Sequence, residues 1–190
     1  MTKQFEIQIE LTGTLPIMFD RYAGDNKTVL PVREKAALDD NDHIVLPALN
    51  IISMLSAENT QSVAKLFGKS AKAVARDIKA GFSVGLAEVP LLVKGKPVKM
   101  PANVPEDSKA PVYMRIDVAR VKGGIPNPKK RPVVNAPWSL QFSASFLEGD
   151  ECKLATLRDA FARAGRFIGL GTFRPQFGQF QLTQWDVTEI

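Results

Sequence analysis

A chain of 190 residues has room for one domain with a real core, or for one domain carrying a large insertion. Its 45% apolar content is that of a globular protein, no apolar run approaches the roughly 20 residues of a membrane span, and Met1 to Glu10 lacks the basic-then-apolar layout of a signal peptide. The net charge is +5, and the single cysteine, Cys152, excludes an intrachain disulfide and a cysteine-based metal site, so the expected location is the reducing cytoplasm with no membrane contact.

Phe5, Ile7, Ile9 and Leu11 alternate with Gln4, Glu6, Gln8 and Glu10, the pattern of a half-buried strand. Residues 12–19 extend it, with Gly13 and Pro16 marking a bulge or an edge. Residues 20–43 are polar and read as a long loop, a length that is uncommon unless functional or disordered. Pro47 suits a first helical turn, and Leu49, Ile52 and Leu55 follow at helical spacing. A second helical stretch runs through Val63, Leu66 and Phe67, and a third from Ser70 to Ala80, with Gly81 as its stop. Phe82, Val84 and Leu86, then Val89 to Val93, read as strand.

Residues 94–111, rich in Pro and Lys, predict an irregular excursion or hairpin. Val112, Met114, Ile116 and Val118 alternate with Tyr113, Arg115, Asp117 and Arg120, a strand with a partly basic face. Lys122 to Pro132, with two glycines and three prolines, predicts an exposed basic loop. Trp138 to Phe146 alternates as a strand. Asp150 is the expected N-cap of a helix whose apolar face is Leu154, Leu157, Phe161, Ala164 and Ile168. Phe180, Leu182, Trp185 and Val187 form a last strand with a register break near Gln184. Stripped of insertions at about 20–43 and 94–132, the order is strand, helices, strand, then strand, helix, strand. The expected fold is therefore α+β and ferredoxin-like (RRM-like): one domain over 1–190, an antiparallel sheet with helices on one face.

The charge is unevenly placed. Residues 1–64 carry a net −4, residues 65–131 a net +10, and residues 132–190 a net −1. A basic block of this size attracts polyanions through counterion release, the alternative being a solvated surface. Lys69, Lys72, Arg76 and Lys79 fall at helical spacing as one stripe. Arg115, Arg120, Lys122, Lys129, Lys130 and Arg131 lie on the basic strand and loop.

The stretch from Gly169 to Phe180 links the last helix to the last strand. Gly169, Gly171 and Gly178 allow positive φ and close backbone approach, and successive free N–H groups in such a turn form an anion nest. Arg166 and Arg174 flank it and match phosphate with a planar fork, while Phe173 and Phe177 offer faces to unstacked bases. The competing reading is a tight structural turn whose phenylalanines are core.

Here the chain resembles the RAMP superfamily of CRISPR-associated RNA-binding proteins. The likeness rests on a C-terminal helix ending in a Gly-x-Gly…Arg…Gly-x-Phe turn within a duplicated ferredoxin-like pattern. The style is that of the superfamily's backbone subunits, and the phrase GRFIGLGTFRPQFGQF also resembles small phage-encoded proteins of that shape. The resemblance is specific over Gly165 to Phe180. It implies an RRM-like core, a basic insertion on the nucleic acid, and head-to-tail oligomers or a multisubunit ribonucleoprotein.

Nothing in the sequence calls for a cofactor or metal, and it holds no P-loop, nucleophile elbow or HExxH motif. The single histidine, His43, is the best argument for catalysis, since some guide-processing ribonucleases of that superfamily use an early histidine. Its acidic neighbours oppose the approach of a phosphate. The expectation is a non-catalytic, sequence-tolerant binder of single-stranded RNA or DNA. The alternatives are a protein-assembly or inhibitor subunit mimicking a RAMP protein, and then a ribonuclease using His43.

Overall fold

The computed structural model describes residues 3–25, 27–58, 61–120 and 126–190, without the side chains of 119, 120, 126 and 127. Strand β1 (Gln4–Gly13) places Phe5, Ile7, Ile9 and Leu11 in the core, as its alternation requires. It ends at Gly13, whose N–H donates to the Trp138 carbonyl and where any Cβ would fall 2.2 Å from the Trp138 ring. The chain then leaves the sheet, and β2 (Ile17–Met18) joins a different one, so the expected extension over residues 12–19 holds through Gly13 and not beyond it.

The 20–43 stretch is largely irregular but contains a 3-10 turn, Val32–Lys35, and a short strand, β3 (Ala37–Leu38). Strand β4 (Ile44–Pro47) leads into α1 (Ala48–Ser56), whose Ile51, Met54 and Leu55 are buried while Leu49 faces out at 71% exposure. The stretch Val63–Ser70 is 3-10 with a kink at Gly68, and α2 (Ala71–Gly81) follows. Next come β5 (Phe82–Val84), β6 (Glu88–Val93) and β7 (Lys96–Pro97).

Strands β8 (Val112–Arg120) and β9 (Pro126–Val134) pair antiparallel along their whole length. This corrects the expected basic loop: Lys129, Lys130 and Arg131 stand in a strand, and the prolines at 126, 128 and 132 do not interrupt the pairing. Residues 121–125 of that stretch lie outside the described residues. Strand β10 (Ser139–Leu147), helix α3 (Leu154–Phe167) and strand β11 (Phe180–Glu189) complete the chain.

The large sheet runs β11-β1-β10-β6-β4-β3, all antiparallel, with β5 on β10 and β7 on β6; β2, β9 and β8 form a second sheet. Ile9 faces Phe142 and Ile7 faces Ala144 across β1 and β10, and these join Ile51 of α1, Ile78 of α2, and Leu157 and Phe161 of α3 in one apolar cluster. The register shift between β1 and β11 falls at Glu10/Leu11, opposite Gln184 and Leu182, where the sequence places the break. Helix α3 starts at Leu154, later than Asp150 predicts. Glu148 accepts the Leu154 N–H at 2.9 Å, and the exposed Asp150 is no cap.

Candidate nucleic-acid interface

The loop from Gly169 to Gly178 is stitched to the β1–β2 connection. Thr172 N–H donates to the Met18 carbonyl and Gly178 N–H to that of Pro16, each at 2.8 Å. Gly169, Gly171 and Gly178 take φ of 77°, 77° and 75°. A Cβ on Gly178 would fall 1.8 Å from the Leu170 carbonyl oxygen, and one on Gly171 2.4 Å from that of Met18. Several loop amides are therefore spent on internal bonds, Leu170 N–H on the Gly178 carbonyl among them. The glycines work by close packing, and the amides bonded in this way are not available to an anion.

What the packed loop does is display alternate side chains to two sides. Thr172 and Arg174 line a cavity of about 560 Å³ together with Arg21, Lys35 and, from α1, Asn50 and Ser53. A second groove of about 680 Å³ shares Asp20, Arg21, Tyr22 and Lys35 with that cavity and continues to Lys129 and Lys130 on β9. The two adjoin at these shared residues, and together, as the channel, their walls carry five cationic side chains, the carboxylates Asp20, Asp25 and Glu88, and the 66%-exposed Tyr22. Burial pulls the Arg174 guanidinium below its ordinary pKa, and its Nη1 donates to the Gly169 carbonyl at 3.3 Å.

Phe173 turns the other way, toward the β8–β9 sheet. It holds φ of 61°, a conformation that bulky side chains rarely adopt, and is 53% exposed. The Arg131 guanidinium lies over its ring at 5.7 Å, Phe177 meets it edge-on at 6.5 Å, and Arg115 lies over Phe177 at 5.3 Å.

Not every predicted contact belongs here. Arg131 is buried: its Nε donates to Asp20 at 2.7 Å, so it braces the site from within instead of meeting a phosphate. Lys35 backs the same carboxylate at 3.5 Å and donates to the Lys130 carbonyl. Lys69, Lys72, Arg76 and Lys79 are exposed, but none lines the channel; Arg76 pairs with Asp77 and Lys79 with Glu58. Arg166 lines a separate cavity of about 1150 Å³ between α3 and β11. Arg115 pairs with Asp117 at 2.8 Å. Lys122 and the side chain of Arg120 lie outside the described residues. Sequence reasoning passed over Arg21, Tyr22, Lys35 and Asn50. An adjacent arginine and tyrosine in an unusually long loop was the available signal for the first two.

His43 lines neither half of the channel. Asp39 accepts the N–H groups of Asn41 and His43 and contacts His43 Nδ1 at 3.0 Å, closing the turn between β3 and β4. The backbone bond from His43 is the main cause that holds the Asp39 carboxyl below its usual range. Asp42 pairs with Arg33. Among the described residues, no three His, Cys, Asp or Glu side chains group as metal ligands, and no helix is long and apolar enough to cross a membrane.

No family model matches the chain, and no curated protein does. A chain in the cryo-EM structure of type III-B Cmr-β bound to cognate target RNA is similar in fold, with a TM-score of 0.63 at 12% identity. The match covers 98% of this chain and 61% of that one, so the present chain spans about three fifths of its length.

Proposed function

We propose that the chain is a RAMP-like RNA-binding protein whose channel seats a single strand by its phosphate backbone, without catalysis. The carrying observation is the continuous channel from Lys129 and Lys130, past Arg21, Tyr22 and Lys35, to Arg174. The fold likeness to a chain from an RNA-bound structure supports RNA as the ligand. The ferredoxin-like reading is supported by the order of β11, β1, β10 and the β5/β6 pair, which places the first strand between the last two core strands. Assembly into a multisubunit ribonucleoprotein, or along the strand, is part of the same reading.

The test is anisotropy of a labelled single-stranded RNA against salt. Affinity falls steeply, by orders of magnitude, between about 50 and 200 mM salt, as several phosphate contacts require. Lys129→Ala/Lys130→Ala flattens that slope. Flat salt dependence in the wild-type chain, or no binding at low salt, refutes the reading.

A further inference from the structure

We infer that Phe173 is a stacking platform for one unpaired nucleobase, so that the site selects single strands over duplex; this rests on the phosphate-channel reading. Three observations converge on the residue. Its φ of 61° is a strained backbone state for a bulky side chain, and such states persist where the surrounding structure enforces them. Thr172 is pinned to Met18 just before it and Gly178 to Pro16 just after the loop, and these bonds supply the enforcement. The residue is nevertheless 53% exposed, so the strain is not repaid by burial.

The surroundings also orient the ring. Arg131 covers part of it at 5.7 Å and is itself fixed by Asp20 at 2.7 Å, while Phe177 closes one edge at 6.5 Å with an interplanar angle of 82°. A flat aromatic surface held still on one side and open on the other is what a base needs to stack on, and stacking is indifferent to base identity. Its chain neighbours Thr172 and Arg174 line the channel while its own ring faces the opposite side of the loop, so a base reaches the ring only where the strand leaves the channel and turns around the loop. A paired base inside a duplex has no free face to give it.

The experiment compares a labelled single strand with its duplex on wild type, Phe173→Ala and Phe173→Gly. Stacking of one base corresponds to a loss of about 5- to 150-fold in single-strand affinity for both variants, with duplex affinity unchanged. Glycine suits the positive φ, so a cooperative melt of Phe173→Gly separates lost stacking from lost folding. A 2-aminopurine placed along the strand is quenched on binding to wild type and not to Phe173→Ala. Unchanged single-strand affinity in a folded Phe173→Gly overturns the platform alone. Failure of the wild-type chain to bind either form overturns the channel and the platform together.

Discussion

Nε of Arg131 donates to Oδ2 of Asp20 at 2.7 Å, and only 8% of the arginine side chain is exposed. The bond ties β9 to the residue that opens the long 20–43 loop, and Lys35 backs the same carboxylate at 3.5 Å. Removing one partner of a buried pair leaves the other desolvated, which costs about 3–5 kcal/mol when burial is complete. Asp20 keeps Lys35 at 3.5 Å, so Arg131→Ala should destabilise by less, about 2–3 kcal/mol. Urea denaturation measures this. A midpoint within error of wild type would place Arg131 outside the structural frame.

Arg174 behaves differently. Among the described residues its hydrogen bond is a long 3.3 Å contact to the Gly169 carbonyl, and it lines the channel. Arg174→Ala should weaken all single strands alike, by about 1–3 kcal/mol, and reduce the salt slope by roughly one contact. The melting temperature should barely move. A lowered melting temperature with unaltered salt slope would make Arg174 a structural residue.

The glycines give a third test. Alanine at Gly178 brings its Cβ to 1.8 Å from a backbone oxygen at a φ of 75°, so the loop must shift. Strain of about 1–3 kcal/mol from the dihedral alone, with the clash added, should lower the melting temperature measurably. Gly24 also has positive φ, at 95°, but a Cβ there meets nothing within 4 Å. Gly24→Ala should therefore be milder in the same melt, and equal losses would contradict the packing account.

These contrasts show what the sequence could and could not reveal. The period-two alternation of β1 and β10 identified the buried faces because each strand has one face on the core. It failed at 126–134, where prolines and lysines mask a strand whose pairing with β8 leaves its outer face polar. Glycine spacing located the 169–178 loop correctly, yet nothing local tells whether a loop amide is free or bonded to Pro16 and Met18, residues some 160 positions away. The channel joins that loop to Arg21, Lys35 and Asn50, a juxtaposition made only by tertiary packing. The helical stripe from Lys69 to Lys79 was legible as a stripe, but spacing alone cannot show that it lines no part of the channel.

Asp77 gives the pH-dependent prediction. Its side chain is 6% exposed, and Oδ2 accepts the N–H groups of Glu151 at 2.8 Å and Cys152 at 3.1 Å, while Arg76 donates to Oδ1. Burial pushes its pKa up, but the bonds from Glu151, Arg76 and Cys152 outweigh that and hold it below the ordinary carboxylate value. A carboxyl depressed on folding binds fewer protons in the native state than in the unfolded chain, so stability rises with pH across that interval. The contribution is present above about pH 4, the unfolded value, and is lost as pH falls through the lower folded value. Asp77→Asn cannot supply the charge, so it should melt well below wild type at pH 7. The gap should narrow as the pH is taken below the unfolded value toward the lower folded one, because the unfolded wild-type chain then takes up the proton that the folded state resists. Thermal melts of both proteins from pH 7 to pH 3 measure this directly. A gap that stays constant over that range would mean that Asp77 acts through shape, and that its charge contributes nothing to joining α2 to the segment before α3.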